Sequence, residues 1–341
     1  IEKKIFNQKK EVILLNCLDN LYGHVILKLF NSTAYLKQFP EYGLIILLPK
    51  SFEWLLPTGI SEAWLVDIKL SETKNWYLKL DEFVKTEIKR FTKVHLSLAF
   101  SHPDFSKINI EDYTKVNKFN VETYLDNTPQ LTFVWREDRF WLTNIFSSFL
   151  FDLAENISEL SFFKKWLTLR QKNKVNKLYE ELKKEIPNII FNVVGVGKSF
   201  KFQDGINDCR QTKIDKDTEM KWCKIYSESH IVAGVHGSNM ILPTALSAGF
   251  IELLPQKRFG NILEDIASDK SGRIGMFLSR FVDDKISPKS LAKLAASMFL
   301  VFPFIELTMS EKYLQHKNYD DVTMWQKYYR DKVININAKK I

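Results

Sequence analysis

Two clusters of residues in this 341-residue chain have the types and spacing to do chemistry. The first is Gly234-Val235-His236-Gly237-Ser238-Asn239-Met240. An apolar run at 231–233 precedes it and reads as a buried strand. Residues 239–247 read as a short helix, and a second apolar run carries Glu252 and ends at Pro255. Strand, glycine-containing turn, helix and strand form the repeating unit of a doubly wound sheet, whose ligands sit past the carboxyl ends of the strands. Free backbone N–H groups at a turn entering a helix suit a phosphate. Gly237 permits close approach, the Ser238 hydroxyl adds a donor, and the His236 ring can donate to a phosphate or hydroxyl. A carboxylate such as Glu252 can accept from two ribose hydroxyls. Phosphate and ribose together describe a nucleotide. The competing expectation is an ordinary crossover turn, with His236 satisfying a local carbonyl.

The second cluster is Arg136-Glu137-Asp138-Arg139, directly after the apolar run 131–135. Two guanidiniums at the end of a buried strand can grip a diphosphate. Alternatively, the four charges pair among themselves. In a parallel sheet this cluster and the His236 turn share one edge. A third position of interest is His24, which opens a helix just past a first apolar strand at 11–15. With Asp19, it is our candidate for a base acting on a hydroxyl, and His24 is preferred because an imidazole titrates nearest neutrality. His95, His102, His230 and His316 are expected to be structural.

The elements that must position these groups follow from periodicity. Strands are expected at 11–15, 44–48, 63–68, 94–100, 131–135 and 188–194. Helices are expected from Tyr22 to before Pro40, and at 81–90, 144–169, 171–186, 217–227, 286–302 and 310–329, with Trp325, Tyr328 and Tyr329 packing on a domain. Ser51 caps a short helix, and Asp217 or Thr218 caps the helix at 217–227. The polar stretch 101–129 reads as a linker. We therefore expect an N-terminal α/β domain at 1–120, a nucleotide-binding domain at 121–280, and C-terminal helices at 281–341 that pack back on the first domain.

The net charge of +8 is spread along the chain. A nucleic-acid binder concentrates its basic residues and interleaves aromatics, so we expect no nucleic-acid partner. The charge remains compatible with an anionic substrate or a weak pull towards an anionic membrane surface. Three cysteines without a CxxC argue against a disulfide framework or zinc site and favour a reducing compartment. No apolar stretch is long enough to span a bilayer.

With these motifs placed, the chain resembles glycosyltransferases of the GT-B type, in which two Rossmann-like domains face each other across a cleft. Residues 217–255 are similar to the plant xylosyl- and arabinosyltransferases and the EGF-domain O-linked N-acetylglucosamine transferases. That family carries a His-Gly-Ala-Gly-type turn, Asn, an apolar helix with Pro, and a Glu-containing strand ending in Pro. Here the pattern stands as Gly234 to Met240, Pro243, and Ile251-Glu252-Leu253-Leu254-Pro255. Ser238 replaces the usual Ala, and Asn239 stands where the second Gly would be. Trp135 to Arg139 occupies the place of the family's Arg-rich turn, and His24 that of its N-terminal helix-opening His.

The resemblance implies an inverting, metal-independent transfer of a sugar from a nucleotide-sugar donor to a hydroxyl of a glycan or glycoconjugate, with no cofactor beyond the donor. Under it, Arg136, Arg139, His236, Gly237, Ser238 and Asn239 hold the donor diphosphate, Glu252 holds the ribose, and His24 or Asp19 acts as base. A non-catalytic nucleotide- or sugar-binding protein of the same fold is the alternative. We expect a cytoplasmic enzyme of polysaccharide biosynthesis with peripheral membrane association, or else the lumenal domain of an anchored protein.

Overall fold

A computed structural model describes residues 1–100, 103, 107–141, 161–198, 200–262, 264, 266–267 and 272–302, with side chains in the helix that starts at 161 described from 165. Its central strands are mostly apolar and buried on both faces, as a helix-covered parallel sheet requires. β1 (Glu2–Ile5), β2 (Glu11–Asn16), β3 (Gly43–Pro49), β4 (Glu62–Val66) and β5 (Lys93–Leu96) form the first sheet. Its order is β1-β4-β3-β2-β5, all parallel except β1, which runs antiparallel to β4 at one edge. Between these strands come α1 (Tyr22–Gln38) and α2 (Leu78–Glu87). α1 covers one face with Val25, Ile26, Leu29 and Phe30, and α2 covers the other, against Val12, Leu14, Ile45 and Leu47. Glu62, 2% exposed, is tolerable inside β4 because Arg90 meets its two oxygens at 3.0 and 2.7 Å and Trp64 Nε1 donates at 2.9 Å.

The second sheet contains β6 (Gln130–Trp135), β7 (Ile190–Gly195), β8 (Ile206–Asp208), β9 (Ile231–Val235), β10 (Gly249–Leu254) and β11 (Ser279–Asp283). It is parallel throughout, in the order β11-β10-β9-β6-β7-β8. Counted from β6, that is the 3-2-1-4-5-6 order of dinucleotide-binding sheets. Its helices are α3 (Ser161–Glu185), α4 (Lys216–Glu228), α5 (Ile241–Leu246) and α6 (Pro288–Leu300). The first sheet repeats half of that order, so both units are Rossmann-like. One apolar cluster joins them, running from Leu15 and Ile46 through Ile26 and Leu29 of α1 to Val134 and Val232 of the second sheet and Ile241 of α5.

Several expectations change. β5 ends at Leu96 rather than at residue 100. The strands β1, β8 and β11 carry too few apolar residues to announce themselves, and exist through pairing with a neighbour. The stretch expected as a linker is partly core. Ile110 and Tyr113 are buried in the shared cluster, and Tyr113 Oη lies 2.9 Å from Ser32 Oγ on α1. The cap of α4 is Asp215, whose side chain accepts from Thr218 N at 2.9 Å, because the helix starts one residue earlier than expected. α6 packs its Leu291, Ala292 and Ala295 with Val175, Leu178 and Leu182 of α3, within the second unit. The helix expected at 310–329, with Trp325, Tyr328 and Tyr329, lies outside the described residues, as does most of that at 144–169.

Candidate functional site

The strand order locates a crevice before any side chain is considered. Helices leave β6 and β9 towards opposite faces of the sheet, so a gap opens beyond their carboxyl ends, where open α/β sheets bind ligands. β6 pairs with β9 in parallel, Val134 opposite Gly234. The arginine turn and the His236 turn therefore leave the sheet side by side, on one edge as expected. Arg139 Nη1 donates to the His236 carbonyl at 2.9 Å and ties the two turns together.

Gly237 is the floor of this site. Its φ is +149°, a conformation that L side chains rarely adopt. A Cβ there would collide with Arg139 Nη1 and stand 2.6 Å from Arg136 Nη1. Both guanidiniums thus converge over the backbone of Gly237. Arg136 is 7% exposed. Its Nε and Nη2 bind Asp138 in a fork, at 2.9 and 2.5 Å. Its buried Nη1 has no hydrogen-bond partner among the described residues. An arginine nitrogen desolvated without an acceptor is costly, and an anion at Gly237 would supply one. Burial alone would raise the Asp138 carboxyl, but the Arg136 guanidinium outweighs it and holds the group below the usual carboxylate range. Of the two expectations for this turn, the internal pairing is seen in the Arg136–Asp138 fork, while Arg136 Nη1 lies beside Gly237.

The turn is held in place from beneath. Gln171 of α3, 1% exposed, donates from Nε2 to the Arg136 carbonyl and accepts from Trp141 N, both at 2.8 Å. Trp135 Nε1 donates to Glu137 Oε1 at 3.3 Å. Gly197, at φ +119°, makes room for that carboxylate. Sequence inspection misses Gln171 because its partners are thirty and more residues away and its amide carries no motif.

His236 and Glu252 occupy other places than a free phosphate donor and a ribose acceptor would. His236 is 1% exposed and Glu252 fully buried, and the His236 Nδ1–Glu252 Oε2 pair joins them. Glu252 is the fourth of six residues in β10, opposite Gly234 of β9, and so lies within the strand rather than past its carboxyl end. A carboxylate that accepts Nδ1–H holds the imidazole in one orientation. The pair therefore stiffens the turn that Gly237 continues. Ser238 and Asn239 follow, half-buried, in the 3-10 turn Ser238–Met240 that leads into α5. That turn and α5 together are short, and the helix dipole contributes less here than the arginines.

The third cluster comes from the first unit. His24 and Asp19 are neighbours, Nδ1 to Oδ1 at 3.4 Å, with His24 the more exposed. Burial raises the Asp19 carboxyl, but Lys28 at 2.8 Å and the Leu21 N–H at 3.0 Å outweigh it, and its pKa falls. Asp19 stays ionised and orients the ring beside it. The next residue back, Gly23, abuts the second unit. A Cβ there would stand 2.5 Å from Ser238 Cβ. The start of α1 thus rests on the turn that follows Gly237, so the His24–Asp19 pair and the arginine cradle flank one junction. Beside it, Tyr22 Oη donates to Glu219 Oε1 of α4 at 2.9 Å.

No protein-family model matches the chain. No curated protein matches it either. Among solved structures, it is similar to the Escherichia coli heptosyltransferase WaaC with ADP, at 12% identity and TM-score 0.43 over 87% of this chain and 99% of that one. It is also similar to a glycosyl transferase family 9 protein from Veillonella parvula, at 8% identity and TM-score 0.47, again over 87% and 99%. At TM-scores this low, the functional reading rests on this chain's own strand order and side chains.

Proposed function

We propose that this protein is a glycosyltransferase that moves a sugar from a nucleotide-sugar donor to a hydroxyl of a glycan or glycoconjugate. The observation that carries the reading is the convergence of Arg136 and Arg139 on Gly237 at the switch point of the second sheet, with Gly23, the residue before His24, packed against Ser238 of the same turn. A diphosphate over Gly237 gives Arg136 Nη1 its missing acceptor. As the glycosidic bond to the donor breaks, charge grows on the departing diphosphate, and two fixed guanidiniums stabilise that charge more than the ground state. His24, oriented by ionised Asp19, takes the proton of the attacking hydroxyl. Attack from the side opposite the leaving group inverts the anomeric centre, and the arginines take the part a metal plays in other transferases. The motif from Gly234 to Pro255, similar to that of xylosyl-, arabinosyl- and O-linked N-acetylglucosamine transferases, supports the same reaction class.

The test is a thermal-shift screen of nucleoside diphosphates and nucleotide sugars on the wild type and Arg136→Ala. At a ligand concentration about a hundredfold above Kd, binding stabilises by ~2.7 kcal/mol. Stabilisation by one base class that disappears in Arg136→Ala supports the reading. No stabilisation by any nucleotide sinks it. A His24→Ala protein that binds donor but no longer transfers separates an enzyme from a binding protein of the same fold.

A further inference from the structure

The first sheet has a switch point of its own, between β2 and β5, which flank it in the order β3-β2-β5. A cavity of about 400 Å³ opens there, within the size range of small-molecule sites. Its floor is apolar: Leu14 and Leu47 from the sheet, Leu80 and Val84 from α2. Asn16, Asn75 and Ser97 bring polar groups to its wall, and among the described residues that line it only Asp81 is charged, its carboxylate taken by Lys85 at 2.7 Å. Ser97 Oγ is buried there without a hydrogen-bond partner among the described residues. Asn16 uses Oδ1 to accept from Leu18 N at 3.0 Å, which leaves its amide N–H groups to donate. At the lip stand Trp76, 75% exposed, and Leu96, 78% exposed. Two large apolar side chains held in water at the mouth of one cavity mark a surface that a ligand covers.

We propose that this cavity binds a neutral amphiphile, its apolar body on Leu14, Leu47 and Val84 under the Trp76 indole, and its hydroxylated head on Asn16 and Ser97. The chemistry selects that class. No lysine or arginine is among the described residues that line the cavity, so an anion gains nothing from them. A purely apolar ligand would leave the Ser97 hydroxyl unsatisfied, and a free sugar would leave the floor wet. The head would lie close to the proposed base. Leu18 lines the cavity, and Lys28 Nζ reaches both its carbonyl, at 3.4 Å, and Asp19, at 2.8 Å. Identifying the head as the acceptor hydroxyl of the sugar transfer rests on the reading given above. The binding itself does not.

The probe is n-octyl β-D-glucoside, titrated below its critical micelle concentration into the full chain and read by calorimetry. Saturable binding is expected, at least tenfold weaker in Trp76→Ala, whose exposed side chain the fold does not need, and abolished in Val84→Trp, which fills the floor. Glucose alone is expected to bind at least tenfold more weakly than the glycoside. No saturable binding, or binding untouched by both substitutions, overturns the proposal, since micelle-like adsorption would ignore them. Nucleoside diphosphate binding measured on the same samples separates the two claims. Glycoside binding without nucleotide binding keeps the cavity and removes the transferase reading, and the converse removes the cavity alone.

Discussion

At the scale of single residues, Gly237 is a position that admits no side chain. Its positive φ and the guanidinium nitrogens above it leave no volume for a methyl group. Gly237→Ala should push both arginines outwards. The strain and the displaced contacts together cost ~1–3 kcal/mol of stability. Calorimetry with a nucleoside diphosphate should show affinity at least tenfold lower, and urea titration should show the stability loss. An affinity equal to wild type would mean that the anion sits elsewhere. Asp138 makes the opposite prediction. Its carboxylate competes for the Arg136 fork, and the pair is open to solvent on the Asp138 side. Asp138→Asn removes a negative charge from the crevice, so nucleotide affinity should rise a few-fold, most clearly at low salt. A fall in affinity would show that the fork, rather than the charge, is what the site needs. His24→Ala belongs to this scale as well. A lost general base lowers turnover by ~10²–10⁴-fold while leaving the donor Kd unchanged, and Asp19→Asn should lower turnover less, because it only orients the ring.

At the scale of elements, the junction between α1 and α4 is sensitive to pH. Glu219 is buried, and desolvation pushes its carboxyl from the ordinary 4.5 up to about 7, against a smaller opposite effect from the Tyr22 hydrogen bond. Tyr22, Cys223 and Tyr226 surround it and are all neutral in the physiological range, so no cation offsets its charge. The folded state therefore holds the proton more tightly than the unfolded chain. The associated stability is fully present below pH 4.5 and is lost as the pH rises to about 7, after which the curve is flat. The shift corresponds to ~3 kcal/mol. Glu219→Gln keeps an acceptor for the Tyr22 hydroxyl and should remove this slope from denaturation curves recorded between pH 5 and 8. An unchanged slope would place its origin in another group.

At the scale of the whole molecule, the first and second sheets are linked by a shared apolar cluster, by the Tyr22–Glu219 hydrogen bond and by the close approach at Gly23. An alanine at position 23 would favour the helix by up to ~1 kcal/mol in isolation. In the folded protein its Cβ meets Ser238 Cβ at 2.5 Å and Ile241 Cδ1 at 3.1 Å. Gly23→Ala should therefore shift α1 away from the second unit. Transfer should fall at least tenfold while the secondary structure seen by circular dichroism is unchanged. Wild-type turnover in Gly23→Ala would show that the two clusters work without this contact.

The elements that the sequence announced are those whose own residues carry the pattern. The runs at β2, β3, β6 and β9 are apolar on both faces, and the turn from Gly234 to Asn239 is built from adjacent residues, so a doubly wound sheet with a crevice at that turn was legible in the chain itself. The pairing of Arg136 with Asp138 was legible for the same reason, since the two stand two residues apart. Long-range encounters decided the rest. His236 and Glu252 are 16 residues apart and both polar, and only the register of β9 on β10 shows that they meet in the interior. Gln171, Gly23 and the Tyr22–Glu219 bond each depend on a partner 30 to 215 residues away, where local composition says nothing. Alternation and turn chemistry are written along the backbone. Which buried polar groups find one another is set by how the layers pack, and that exists only in three dimensions.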